Sequence, residues 1–100
     1  MNCPACGKEM KEFKDKYGPF RTCQPCDVKQ RGDGTPADKE LRELRKLAHK
    51  RFDTWWRKHN IDRNRAYGFL ADNIGVDKSQ AHMRFMDKEQ CEAVIRIYNN

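Results

Sequence analysis

Residues 3–26 read CPACGKEMKEFKDKYGPFRTCQPC, and this stretch decides the fold of the first part of the chain. Two Cys-x-x-Cys pairs, Cys3 with Cys6 and Cys23 with Cys26, are separated by sixteen residues. Each pair suits a tight knuckle that presents two sulfurs to a tetrahedral ion, and the intervening segment is long enough for a short β-hairpin. We therefore predict a zinc ribbon with one structural Zn²⁺, bound by Cys3, Cys6, Cys23 and Cys26.

Two other interpretations of the four cysteines remain open at this point. Two disulfides would need an oxidising compartment, and iron in a rubredoxin-like site would use the same sulfur tetrahedron. Charged residues such as Lys8, Glu9 and Lys11 break up the N-terminal stretch, and no segment approaches the roughly 20 apolar residues of a membrane span. We expect a cytoplasmic protein of a bacterial host, in which reduced thiols favour metal binding.

The composition suits a small, charged protein that meets polyanions. The chain has 100 residues, of which 36% are charged, and its formal net charge is +6 with a pI of about 9.2. Four thiolates around one Zn²⁺ lower that charge by two, so the chain stays basic. Such a balance indicates binding to polyanions and carries no information about the fold.

Composition divides the chain into three zones: a zinc ribbon over residues 1–28, a linker over residues 29–35, and a basic helical module over residues 36–100. The linker contains two glycines and no apolar residue. The predicted fold class is small α+β, a ribbon of short hairpin and knuckles linked to a bundle of three to four α-helices.

Capping signals place the helices of the module. Thr35 as cap and Pro36 as first residue predict a helix that runs to about His59. Asp62 and Gly75 bound a second helix, and Asp77 with Gln80 resembles a capping box for a short third helix over residues 78–84. Asp87 and Gln90 repeat that signal for a last helix, on which Cys91 faces the core.

The first helix carries a concentration of positive charge. Between Arg42 and Arg65 there are nine Lys and Arg residues against three acidic ones. This pattern is the electrostatic footprint of a phosphate binder, although a solvated helix face gives the same pattern. The predicted phosphate contacts here are Arg42, Arg45, Lys46, Lys50, Arg57 and Lys58.

Residues 67–86 fit a helix-turn-helix frame, with Gly75 at the turn and Ala81 on the following helix. The third helix would then direct Gln80, His82 and Arg84 toward base edges in a groove. A plain helical arrangement without DNA reading is the alternative.

The ribbon sequence resembles the C-terminal zinc ribbons of bacterial type I topoisomerases. The resemblance rests on Cys-Pro-x-Cys-Gly at 3–7, on Met10, and on Tyr17-Gly18-Pro19-Phe20 before Cys23. It implies single-stranded DNA binding through exposed rings and cations. The alternative is that Tyr17 and Phe20 cover the zinc site as a small core. The DNA contacts that the topoisomerase resemblance implies are Lys14, Lys16, Tyr17, Phe20 and Arg21.

Nearly the whole chain is similar to a family of small zinc-finger-containing proteins of bacteria and phages. The similarity runs from Cys-Pro-x-Cys at 3–6 through Ala48-His49 and Ala81-His82 to Glu89-Gln90-Cys91. It implies a phage or prophage origin and no particular chemistry.

The function predicted from these patterns is non-enzymatic nucleic-acid binding, with DNA favoured over RNA and with neither a membrane nor a small-molecule substrate as partner. We find no nucleophile–base pair, and His49, His59 and His82 have no zinc-ligand spacing. The alternative is a protein-binding module that docks on and inhibits or modulates a host enzyme or nucleic-acid-processing complex, with Trp56 as an interface anchor.

Overall fold

The computed structural model describes residues 1–99 and divides the chain into two compact units. The first, which we call the zinc unit, is Met1–Arg42, and the second, the helical unit, begins at Glu43. The zinc unit contains a three-stranded antiparallel sheet, and the helical unit is built of α-helices and short turns. The predicted α+β class is therefore confirmed.

The strands of the zinc unit are β1 (Lys11–Asp15), β2 (Gly18–Cys23) and β3 (Val28–Arg31), in that order across the sheet. A tight turn at Lys16 and Tyr17 joins the first two strands and pairs Phe13 with Phe20. Gly18 has φ +106°, which explains why glycine follows Tyr17.

The third strand corrects the predicted linker, because β3 occupies its first three residues. Val28 and Gln30 are buried while Lys29 and Arg31 are exposed, which is the alternation of a strand with one covered face. Two glycines and a run of polar residues concealed this short strand, since the apolar signal is limited to Val28. The buried Gln30 amide donates to the carbonyls of Gly32 and Gly34, so polar contacts replace apolar ones there.

The first helix, α1 (Lys39–Lys58), begins later than the sequence predicted. Ala37 instead pairs with Lys29 through two backbone hydrogen bonds of 2.8 Å, which keeps residues 36–37 extended. The carboxylate of Asp38 accepts from the backbone N–H of Leu41 at 2.8 Å and caps the helix in place of Thr35. The helix ends before Asn60, whose φ is +54°.

Two further helices of the unit, α2 (Arg63–Ile74) and α3 (Lys88–Ile97), follow the predicted signals. Asp62 caps the second helix, and Gly75 ends it in the left-handed region with φ +71°. Asp87 and Gln90 form the complete capping box of the third helix. The core combines four large, fully buried side chains from all parts of the unit: Phe52, Leu70, Met86 and Val94.

The predicted short helix over residues 78–84 is wrong. Its place is taken by two 3₁₀ turns, Lys78–Gln80 and Met83–Phe85, and the Asp77 side chain makes no capping hydrogen bond. Ala81, Met83 and Met86 are buried, a spacing of two and three residues that an α-helix could not direct to one core. The helix-turn-helix hypothesis fails with this helix, because the described residues between Gly75 and α3 form 3₁₀ turns and no α-helix.

Candidate metal centre and aromatic sheet face

Two similar turns hold the four cysteines of the zinc unit. In the first, the N–H of Cys3 donates to Lys8 and the N–H of Gly7 donates to Cys3, both at 2.8 Å. Gly7 has φ +76° directly after Cys6, and Asp27 has φ +52° directly after Cys26. Each Cys-x-x-Cys pair is thus followed by a left-handed residue, which turns the chain around the two sulfurs.

The sulfur atoms lie at distances that suit one zinc ion. The four Sγ atoms lie within 4.8 Å of one another, and those of Cys6 and Cys23 are 3.7 Å apart. Zn–S bonds of about 2.3 Å in a tetrahedron place neighbouring sulfurs about 3.8 Å apart. A disulfide needs about 2.05 Å, so the geometry fits metal ligation and leaves all the cysteines reduced.

The pKa values of Cys3 and Cys26 are shifted in opposite directions. Burial raises the pKa of Cys3, but the backbone N–H groups of Cys6 and Ala5 outweigh it and lower that pKa to about 7. Hydrogen bonding to Cys6 and Cys23, together with burial, raises the pKa of Cys26 to about 12. A divalent ion bound between the sulfurs would compensate the negative charge of the thiolates and so favour their ionisation.

Zinc in this site supplies the core that the zinc unit otherwise lacks. The buried cluster around the sulfurs contains only two side chains that are not ligands, Met10 and Val28, in the part of the chain that the structure describes. Four protein sulfurs complete the tetrahedron, so the site is structural and leaves no position for water or substrate. The four predicted ligands are thus brought together around one structural zinc ion.

The sheet of the zinc unit has a second face that carries rings and cations. The register places Phe13 beside Phe20, and Phe20 beside Arg31. The two phenylalanine rings stack with centroids 6.0 Å apart, and the Arg31 guanidinium lies 5.1 Å from the Phe20 centroid. We call this surface the aromatic face, and we define it by its rings and cations: Lys11, Phe13, Phe20, Lys29 and Arg31. Asp15 and Thr22 alternate onto the same face.

The aromatic face is accessible to a ligand. Phe13 is 42% exposed and Phe20 is half-buried, around a shallow depression of about 450 Å³. Tyr17 at the adjoining turn is 75% exposed, with the Lys16 ammonium 5.0 Å from its ring. Tyr17 and Phe20 therefore do not cover the zinc site. This excludes the interpretation, left open by the sequence, in which the two rings form a small core over the metal.

Ion pairs neutralise the two carboxylates beside this face. Arg31 donates two hydrogen bonds to Asp15, at 2.7 and 3.1 Å, and this contact holds the pKa of Asp15 below its ordinary value. Arg42 pairs with Asp27 at 2.9 Å. The lysines at positions 11, 16 and 29 thus dominate the potential around the exposed rings.

The predicted contacts of the ribbon lie in two places. Phe20 belongs to the aromatic face, Lys16 and Tyr17 border it, and Lys14 lines its depression. Arg21 alternates to the opposite face, where it donates to Gln30 at 3.2 Å. The sequence reasoning missed Phe13, Lys29 and Arg31. The period-two spacing of Phe13 in β1 could have revealed the first, whereas the other two were hidden in the predicted linker.

The basic helix uses part of its charge for internal contacts. Arg42 also donates to the carbonyls of Asp27 and Ala37, and Arg45 donates to the carbonyl of Met86. The burial that accompanies this contact lowers the pKa of Arg45. The other predicted phosphate contacts on α1 reach the surface: Lys46, Lys50, Arg57 and Lys58.

The remaining predicted contacts do not form one surface element. Gln80 is exposed in the first 3₁₀ turn, and Arg84 lies over the Phe85 ring at 4.8 Å in the second. His82, between these turns, is half-buried with its ring 4.8 Å from that of Tyr67. Trp56 on α1 is half-buried and donates to Asp53 at 2.9 Å.

Comparison with known proteins gives one match. The profile of a family described as a zinc-finger-containing domain matches residues 1–100. No curated protein and no solved structure matches the chain. Within residues 1–99, no helix is both long and apolar enough to cross a membrane.

Proposed function

The chain belongs to this family of zinc-finger-containing domains, and we propose that it is a non-enzymatic protein that binds single-stranded nucleic acid on the aromatic face of its zinc unit. The observation that carries the proposal is the exposed, stacked pair of Phe13 and Phe20 with a guanidinium over one ring. Flat rings can stack on any nucleobase, and neighbouring cations contact the phosphates of the strand. DNA is the favoured strand type, because the ribbon sequence resembles topoisomerase ribbons.

The form of the aromatic face supports a single strand over a duplex. Bases must be unstacked to reach protein rings, which a single strand permits at low cost. Reading a duplex groove usually requires a helix or ribbon that projects into it. The segment in which the sequence predicts a recognition helix, residues 78–84, forms 3₁₀ turns instead.

Charge distribution supports a modest dependence of binding on salt. The aromatic face offers Lys11 and Lys29, with Lys14 in the wall of its depression and Lys16 beside it, while Arg31 is paired with Asp15. Three to four phosphate contacts with a single strand give a slope of log K against log salt of about −2 to −3. A slope near zero would contradict a phosphate-binding role for this face.

The broader parts of the proposal concern setting and chemistry. The four cysteines fill all four zinc positions with sulfur and leave none for catalysis at the metal, and a role without catalysis is part of the proposal. The whole-chain similarity to small zinc-finger-containing proteins of bacteria and phages supports a phage or prophage origin. A cytoplasmic location in the bacterial host is part of the same proposal.

Two phenylalanines of matched exposure allow a direct test. Phe13 on the aromatic face is 42% exposed, and Phe69 in the helical unit is 41% exposed. Fluorescence anisotropy with a labelled single-stranded oligothymidine measures the affinity of the zinc-loaded chain and its variants. Phe13→Ala should weaken binding about 5- to 150-fold, the usual range for loss of one stacked base, while Phe69→Ala should leave it unchanged.

The same assay separates the proposal from the alternative of a protein partner. The helical unit exposes Phe69 and Ile97, and Ile97 is 45% exposed, which is suitable for a protein contact. An absence of nucleic-acid binding at low salt, with one zinc per chain retained, would overturn our proposal. A stoichiometric host protein recovered from nuclease-treated lysate, and lost with Phe69→Ala, would then establish the alternative.

A further inference from the structure

A cleft in the helical unit collects positive charge at the start of α2. It has a volume of about 430 Å³, within the range of small-molecule sites, roughly 300–1,000 Å³. Arg63 and Lys78 come from different elements, the first turn of α2 and the first 3₁₀ turn. The residues that line the cleft are Asp62, Arg63, Asn64, Tyr67, Lys78 and His82.

Contacts in the wall hold these groups in position. The Arg63 guanidinium lies 5.5 Å from the centroid of the Tyr67 ring, and the His82 ring lies 4.8 Å from the same ring on a tilted plane. Tyr67 is only 6% exposed and therefore forms a fixed base for both. The Lys78 ammonium donates to the side-chain oxygen of Asn64 at 2.6 Å, which directs the ammonium toward α2.

One acidic side chain, that of Asp62, lines the cleft. The carboxylate of Asp62 accepts from the backbone N–H of Arg65 at 3.3 Å as the cap of α2. The side chains that line the cleft thus include two permanent cations and an imidazole against one carboxylate. An arginine offers paired N–H donors for a phosphate, a lysine offers a compact charge, and both suit a dianion better than a neutral ligand.

We propose that this cleft binds a phosphate monoester, with Arg63 and Lys78 as its cationic ligands and His82 as a further hydrogen-bond partner. Inorganic phosphate, a nucleoside monophosphate and the 5′-phosphate end of a strand share this chemistry. The volume of the cleft exceeds what a bare phosphate needs, so the expected ligand carries a sugar or base on its phosphate. The site lies apart in sequence from the aromatic face and does not depend on nucleic-acid binding there.

The test uses amide NMR of the zinc-loaded full-length chain, titrated at low salt with inorganic phosphate, thymidine 5′-monophosphate or thymidine. We expect the monophosphate to shift amides around residues 62–67 and 78–82, and thymidine to shift none. If thymidine 5′-monophosphate binds more tightly than inorganic phosphate, the ligand is a nucleotide. Equal affinity of the two compounds identifies the free ion as the ligand. Oligothymidine with and without a 5′-phosphate shows whether a strand end also enters the cleft.

Three variants make the result specific. Arg63→Gln and Lys78→Gln should each weaken monophosphate binding about 10- to 100-fold, the usual effect of a charged hydrogen bond. Asp62→Asn should strengthen binding, because an asparagine still caps the helix but no longer repels the anion. Arg96→Gln, a change of the same type at an exposed position on α3, should have no effect.

Two results would overturn the proposal. One is the absence of amide shifts with either phosphate compound at millimolar concentration and low salt. The other is an equal loss of affinity in Arg63→Gln and Arg96→Gln, which would mean that net charge alone attracts the anion. Residues 62, 63 and 78 are exposed, so each variant should fold, and an unchanged circular dichroism spectrum verifies this.

Discussion

The zinc unit and the helical unit reach stability by different routes. In the zinc unit, the buried cluster contains two small ligand side chains, Cys3 and Cys23, with Met10 and Val28, and no aromatic ring among the described residues of that cluster. In the helical unit, the ring of Phe52 contacts those of Tyr67 and Tyr98, at 5.0 and 5.3 Å between centroids. A metal ion replaces the core in one unit, and that replacement leaves aromatic rings of the zinc unit available at its surface.

Removal of zinc should produce the largest difference between the two units. Structural zinc contributes about 10–16 kcal/mol to the folding of small zinc domains, more than a sheet of three short strands can replace. A strong chelator, or Cys23→Ser, should therefore abolish the dispersed amide signals of residues 1–31. The signals of α2 and α3 should persist in the same sample. Loss of both sets together would show that the helical unit also depends on the metal.

A core substitution should give the converse result. Phe52 is fully buried, so Phe52→Ala leaves a cavity and should destabilise the helical unit by about 3–5 kcal/mol. Zinc content should remain one per chain, as measured by native mass spectrometry. The exposed Phe69→Ala should change the unfolding free energy by less than about 0.5 kcal/mol. Phe52→Leu, which retains most of the volume, should fall between the two.

The fifth cysteine extends the comparison to thiol chemistry. Burial raises the pKa of Cys91 to about 11, so at pH 8 its thiolate fraction is about a hundredfold below that of an ordinary cysteine. Titration with a thiol reagent at pH 8 should thus detect four reactive thiols after chelation of the zinc, and the fifth only after denaturation of the chain. Five rapid groups after chelation would mean that α3 opens when zinc leaves.

The same pKa shift has a consequence for stability at high pH. The folded state retains the Cys91 proton up to about pH 11, whereas an unfolded thiol loses it near pH 9. The folded state binds more protons between these values, so the stability of the helical unit should fall from pH 9 to pH 11. Cys91→Ala should reduce this fall, as seen in urea unfolding at a series of pH values.

The smallest predicted effect contrasts two glycines of the helical unit. Gly75 has φ +71°, so Gly75→Ala should destabilise the unit by about 1–2 kcal/mol. Gly68 lies within α2, and an added Cβ meets no atom within 4 Å. Gly68→Ala should therefore stabilise the unit by about 0.5–1 kcal/mol. Thermal unfolding of the two variants should give shifts of opposite sign, and shifts of the same sign would contradict this assignment of the helix end.

The two units also differ in how far the sequence could predict them. The spacing of Cys3, Cys6, Cys23 and Cys26 specifies a tetrahedral site by itself, because few other uses fit two Cys-x-x-Cys pairs. The caps of α2 and α3 were equally local signals. The start of α1 was not, because the pairing of Ala37 with Lys29 depends on a strand that the sequence concealed.

The candidate binding surfaces depend on contacts that sequence patterns do not contain. Phe13 becomes informative only when the register places it beside Phe20, and Arg31 only when β3 brings it over that ring. The cleft that we propose as a phosphate-monoester site is lined by residues of α2 together with Lys78 and His82. A predicted α-helix would have placed these two residues differently. Local chemistry was thus predictable, whereas surfaces built from several segments required the fold.

The central claim is that the aromatic face of the zinc unit, and not the basic helix, binds single-stranded nucleic acid. Amide NMR of the zinc-loaded chain with a 5′-hydroxyl oligothymidine tests it most directly. We predict that the largest shifts lie in β1, β2 and β3, around Phe13, Phe20 and Arg31. Shifts confined to α1 from Lys46 to Lys58, or no shifts at low salt, would contradict the claim.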